Sequence, residues 1–147
     1  MVKSAQAKPS ALIKPTLDTQ FHIDYSWWER NTEEDLRTYK LSQLPPDLVD
    51  RLTGVDETRI VDYIDPETAE VRELDAIGLA VQEAAARPDF IGQHVSMVDC
   101  IFRVFLANGN QPLTPIELSA ITDRPAQQIL RTLGGTRVYK GIRPVQP

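Results

Sequence analysis

The sequence predicts an α+β fold, and three stretches carry that reading. Residues 60–74 hold two short strand-like runs around a turn, residues 96–107 form a nearly unbroken apolar helical run, and residues 114–133 hold two helical patterns split by a tight turn. In "TRIVDYIDPETAEVREL" one hairpin arm runs from Ile60 to Ile64 and the other from Val71 to Leu74. Asp65-Pro66-Glu67-Thr68-Ala69 supply the turn chemistry between them.

The remaining elements follow from local signals. Residues 1–19 contain Lys, Ala and Pro with no apolar period and no acid before Asp18, which predicts an extended or disordered arm that a partner orders. Phe21, Ile23 and Tyr25 alternate with polar residues as in a strand. Thr32 is placed to head a helix with Glu33, Glu34 and Asp35 in its first turn and Leu36, Tyr39 and Leu44 as its apolar stripe; Pro45-Pro46 stop it. Asp75 is placed to cap a helix through Arg87, with Leu74 and Leu79 as a hydrophobic staple. Ile77, Val81, Ala84 and Ala85 give that helix a small-residue face, although Gly78 weakens it. Ser96 with Asp99 starts "MVDCIFRVFLANGN", where Val98, Ile101, Phe102, Val104, Phe105 and Leu106 predict the central core helix.

Thr114-Pro115-Ile116-Glu117 combines an N-cap, a proline at the first helical position and a glutamate at the third. Leu118 and Ile121 are expected to face inward, and Ser119 is small where two helices approach. The chain then turns at Thr122-Asp123-Arg124. Pro125 sets φ for a second helix from Ala126 to Leu133, ended by Gly134-Gly135. Ile129, Leu130 and Leu133 point inward in this pattern, leaving Arg124, Gln127, Gln128, Arg131 and Thr132 outward.

Composition bounds the function. The 147 residues are 41% hydrophobic and 25% charged, and no run approaches the ~18 apolar residues of a membrane span. The N-terminus lacks the apolar core of a secretory signal. One cysteine, Cys100, cannot staple the fold and argues for a reducing compartment, so a soluble cytoplasmic protein is expected. The net charge of −5 is segregated. Arg124, Arg131, Arg137, Lys140 and Arg143 give residues 124–147 a charge of +5, which leaves −10 on residues 1–123. A basic end attracts polyanions while the acidic remainder repels them.

Preceded by the apolar helix and followed by "TRVYKGIRPV", the 114–133 pattern resembles a winged helix-turn-helix domain over residues 96–145. Ser119, the turn at Asp123 and Ile129 sit at that motif's spacing. Family members often have glycine where this chain has Asp123. The wing is short: Arg137-Val138-Tyr139, a Lys140-Gly141 turn, then Ile142-Arg143. The resemblance implies that the second helix enters the major groove of duplex DNA. Arg124 and Arg131 would meet guanine edges or phosphates, Gln127 and Gln128 adenine edges, and Arg137, Lys140 and Arg143 phosphates, with Thr132 on the same face. A homodimer would then bind better than a monomer. Winged helices also serve protein assembly, so the alternative is a non-catalytic adaptor subunit that uses the winged helix and the N-terminal arm in a larger complex.

The implied organisation is an arm at 1–19, an aromatic strand and helix segment at 20–57, a hairpin plus helix packed on the core at 58–95, and a winged-helix-like domain at 96–147. In the aromatic segment, Tyr25, Trp27 and Trp28 are candidate partner contacts, because Trp and Tyr dominate such sites; one tryptophan is expected to cover the core. No cofactor, metal or catalytic group is expected. His22 with Asp24, and His94 with Asp99 and Cys100, lack zinc spacing, and the acids of 62–73 lack a calcium-loop register. Cys100 is expected to be a small core residue, and no phosphate loop or catalytic triad order is present.

Overall fold

A three-residue strand from the N-terminal part of the chain closes the helical core. The computed structural model describes residues 14–31 and 33–146; residues 1–13, most of the expected arm, and Thr32, the expected helix cap, lie outside the described residues. Those described form a mixed α+β fold of seven helices and two small antiparallel sheets. Strand β1 (Phe21–Ile23) pairs with β4 (Ile142–Pro144) in the register Phe21↔Pro144, His22↔Arg143, Ile23↔Ile142.

On its other edge, β1 is satisfied by the loop between two core helices. Phe21 and Leu113 exchange both backbone hydrogen bonds, at 2.8 and 3.0 Å. Asn110 continues that edge with its side chain: Oδ1 accepts from the Ile23 N–H at 2.8 Å, and Nδ2 donates to the Ile23 carbonyl at 2.9 Å. A primary amide has both donors and an acceptor, so it stands in for a peptide unit. β1 is therefore a central strand with both edges occupied, as buried backbone requires. Phe21 and Ile23 face the core and His22 alternates away from it.

Several expectations change upstream. Residues 14–19 fold onto the body: the Thr19 N–H donates to the Thr16 carbonyl at 3.0 Å, the Thr16 N–H to Thr19 Oγ1 at 2.8 Å, and Pro15 lies beside Gly134. Tyr25 does not continue the strand, because Asp24 caps helix α1 (Tyr25–Arg30) by accepting from the Ser26 N–H. The tryptophans thus lie on a helix. Helix α2 (Leu36–Ser42) is capped by Asp35, which accepts from the Thr38 N–H and hydroxyl, each at 2.9 Å. Pro45-Pro46 does not merely stop it. Pro46 opens a further helix, α3 (Pro46–Arg51), at the position where a missing N–H loses no bond.

The hairpin β2 (Val61–Ile64) and β3 (Val71–Leu74) lies within the expected segment. Helix α4 (Ala76–Ala85) is capped by Asp75, which accepts from the Gly78 N–H at 2.7 Å, and it ends two residues short of Arg87. Helix α5 (Met97–Ala107) starts at Ser96 and buries Cys100, Ile101, Phe102, Val104 and Phe105.

Two buried clusters result. The first joins Phe21, Ile23 and Trp28 to Ile101, Phe102 and Phe105 of α5 and to Leu118, Ile129, Leu133 and Ile142. The second joins Leu44 and Leu48 to Ile77, Val81, Ala84 and Phe90. Leu44 belongs here, beyond the end of α2. Arg103 bridges the two clusters through Gln43 Oε1 and the Phe90 carbonyl, both at 2.9 Å. Tyr39 donates its hydroxyl to Asp99; burial, that bond and the carboxylate charge all push the phenol up. Neither hairpin strand contributes a residue to either cluster.

Because Phe21 fills the first cluster from outside the helical segment, Phe21→Ala is expected to cost about 3–5 kcal/mol of unfolding free energy. Urea denaturation measures it; an unchanged midpoint would show that β1 only decorates the core.

Candidate functional site

Helix α6 (Pro115–Thr122) begins at a complete capping box. Thr114 Oγ1 accepts from the Glu117 N–H at 3.2 Å, and Glu117 Oε1 accepts from the Thr114 N–H at 2.9 Å. Asp123 ends the helix at φ 56°, ψ 41°, in the left-handed region that Asp tolerates better than most residues. Pro125 then leads into α7 (Ala126–Leu133). Leu118, Ile129 and Leu133 are buried as the pattern requires, but Ile121 is not: it is 49% exposed. Thr122 is buried instead, because its hydroxyl donates to the Leu118 carbonyl at 2.7 Å. The outer face of α6 consequently presents Ile116, Glu117, Ala120 and Ile121.

The expected outward face of α7 is kept only in part. Gln127, Gln128 and Arg131 are exposed and Thr132 is half-buried. Arg124 is turned inward. Its guanidinium donates to the carbonyls of Gly92 (3.1 Å) and Val95, while Gln93 Nε2 donates back to the carbonyls of Thr122 (3.0 Å) and Asp123 (3.1 Å). These bonds tie the 92–95 loop to the interhelical turn and hold the Arg124 guanidinium inward, with its Nε buried and without a partner among the described residues.

The wing also differs from expectation. Tyr139 and Ile142 form a single bridge around Lys140 (φ 54°) and Gly141 (φ 76°), two consecutive positive φ values that suit a tight hairpin turn. Beyond that bridge β4 pairs with β1, not with residues 137–139. β1 lies on the opposite edge of β4 from Tyr139, and on the Tyr139 side the wing is limited to the single bridge. Gly141 is needed here twice over: besides its φ, a Cβ would lie 2.8 Å from Trp28 Nε1.

The wing cations are bound within the chain. Lys140 Nζ lies 2.6 and 2.9 Å from the two Glu34 carboxylate oxygens and 4.6 Å from the Tyr39 ring centroid. Arg143 Nη1 lies 3.2 Å from Asp24 Oδ2. Burial raises the Asp24 pKa, but hydrogen bonds from Ser26 and the Arg143 charge outweigh it and hold the carboxyl below its usual range. Arg137 is exposed, with its guanidinium 4.8 Å over the Tyr139 ring. Of the expected phosphate contacts, Lys140 and Arg143 are therefore occupied. Glu34 and Asp24, their partners, carry no sequence signal of that role, since each lies over a hundred residues away.

The aromatic candidates separate. Trp28 is a core residue at 5% exposure, stacked on Tyr39 at 5.5 Å, with its Nε1–H donating to the Lys140 carbonyl at 3.1 Å. Trp27 is half-buried and meets Trp28 edge-on. Tyr25 is 38% exposed, beneath Lys40 Nζ. It borders a cavity of about 810 Å³ whose walls include Trp28, Glu29, Glu33, Glu34 and Asp35. Elsewhere, Cys100 is fully buried and burial pushes its thiol up. Among the described residues no cluster of three His, Cys, Asp or Glu could hold a metal, and no helix is long and apolar enough to cross a membrane.

Comparison with protein-family models, with curated proteins and with solved structures found no match.

Two outcomes follow from this geometry. A carboxyl whose pKa is lowered by folding adds stability that is complete above its unfolded value of about 3.9 and is lost as pH falls through the folded value. Asp24→Asn, which keeps a capping side chain, should therefore be less stable than the parent at pH ~7, and the difference should shrink at pH ~2. Urea midpoints at the two pH values measure it, and a gap that does not narrow would dismiss the ion pair as a contributor. Gly141→Ala should lower stability by roughly 1–3 kcal/mol through positive φ and the Trp28 clash; thermal unfolding indistinguishable from the parent would remove the strain argument.

Proposed function

We propose that the chain is a non-catalytic adaptor that uses a winged-helix-like C-terminal segment, residues 96–145, for protein–protein contact in a larger complex. One observation carries the reading: three of the five cations at the basic end are engaged within the chain, two of them by carboxylates. Glu34 holds Lys140, Asp24 holds Arg143, and Arg124 is turned onto carbonyls. Affinity for duplex DNA comes largely from cations that displace counterions, each contributing about one unit of salt slope. Arg131 and Arg137 are the expected contacts left exposed without a carboxylate partner, and −10 over residues 1–123 opposes approach. The exposed side of α6 adds support. A groove-reading motif lays its first helix across phosphates, whereas Ile116 and Ile121 are half-exposed here beside Glu117 and Asp123. Apolar and acidic side chains suit a protein surface better than a phosphate backbone.

The second reading is a small DNA-binding regulator, favoured by the row Gln127, Gln128 and Arg131 on the outer face of α7. A homodimer belongs to that reading.

Titration against random and selected duplexes at two salt concentrations separates them. The adaptor should bind feebly, with no preferred sequence and no response to Arg131→Ala. The double variant Asp24→Asn, Glu34→Gln should steepen the salt slope by about one for each cation released. A preferred sequence weakened by ~1–3 kcal/mol in Arg131→Ala would replace the adaptor with the regulator.

A further inference from the structure

The β2–β3 hairpin presents a face that neither core uses. Val61, Tyr63, Arg72 and Leu74 point to one side and are half-buried. That side holds the hairpin's cation: the Arg72 guanidinium lies 5.6 Å from the Tyr63 ring centroid and beside Gly109. On the other side Ile64 is paired with Val71, at 66% and 59% exposure, and Ile60 lies beyond them at 55%. Between these apolar positions Asp62 stands directly opposite Glu73.

That arrangement is unfavourable for the chain alone. Like charges directly opposite on a sheet repel, neither strand places a cation on this face, and a two-stranded hairpin gains stability when a layer covers it. Successive rows on one face are about 6.8 Å apart. The face therefore reads apolar, acidic, apolar at that interval. A second copy of the same face would set carboxylates against carboxylates, so self-association is disfavoured. A helix advances about 6 Å per four residues, which lets positions i, i+4 and i+8 meet the three rows.

We infer that this face docks an amphipathic cationic helix of a partner protein, with a Lys or Arg over Asp62 and Glu73 and apolar side chains on Ile60 and on Ile64 with Val71. The inference rests on the adaptor reading and names the chemistry of its partner.

The probe is a labelled helical peptide of Ala and Gln carrying Leu, Lys and Leu at i, i+4 and i+8, titrated into the full chain by fluorescence anisotropy. A permuted peptide (Lys, Leu, Leu) and a Leu, Glu, Leu peptide should each bind at least roughly tenfold more weakly, the loss expected from one mispaired charge or apolar contact. Ile64→Ser with Val71→Ser, which leaves the charge unchanged, should weaken the first peptide similarly without altering the circular dichroism melt. Should that variant misfold, Asp62→Asn with Glu73→Gln tests the acidic row and should also weaken binding. Equal affinity for the permuted peptide, or for the variants, overturns the inference. So does self-association in sedimentation that Ile64→Ser with Val71→Ser abolishes, since it assigns the face to a second copy. Failure here with no preferred duplex removes the hairpin site and leaves the adaptor; a preferred duplex removes the adaptor itself.

Discussion

The double-edged pairing of β1 is the constraint on which the rest of the molecule depends. Three residues, Phe21–Ile23, are hydrogen-bonded on one side to β4 and on the other to Leu113 and the Asn110 amide. Their two inward side chains complete the cluster formed by α5, α6 and α7. Leaving any of these backbone groups buried and unpaired would cost more than the net gain from making the bond. The C-terminal helices consequently do not close a core alone.

The pairing also decides the electrostatics. With β1 held beside β4, Asp24 follows directly into the α1 cap and comes within reach of Arg143. Trp28, one turn later, hydrogen-bonds the Lys140 carbonyl and packs against Gly141. Tyr39 and Glu34 then meet the Lys140 ammonium. These ion pairs are partly exposed and add little stability singly. Their consequence is for recognition: cations that look available in a linear sequence already have carboxylate partners in the fold.

The second cluster is built differently, from the Ile77, Ala80, Val81 and Ala84 face of α4 with Leu44, Leu48 and Phe90, and it is joined to the first by the polar bridge from Arg103 to Gln43 and Phe90. Hydrogen-bonded polar groups of that kind favour one arrangement of two apolar bodies, because misalignment would leave a half-buried guanidinium unpaired. The hairpin stands outside both clusters and keeps an apolar and acidic outer face.

Local chemistry was legible in the sequence. The caps at Asp75, Ser96 and Thr114, the hairpin turn at 65–69, the turn at Asp123 and the apolar run of α5 are all set by neighbours within a few residues. Such signals survive in a linear reading because their partners are close in the chain. Capping in the 24–46 region is less legible: Asp24 starts a helix where the alternation at 21–25 predicts a strand, Asp35 caps α2, and Pro46 opens a helix directly after Pro45. The α+β class and most element positions were thus determined by sequence alone. Tertiary structure decided the direction of Arg124, the burial of Thr122 in place of Ile121, the capture of β4 by β1, and the pairing of Lys140 and Arg143 with acids more than a hundred residues upstream. Apart from the Thr122 bond to the Leu118 carbonyl, each depends on a group distant in the chain, and a periodicity spanning a few residues holds no record of that.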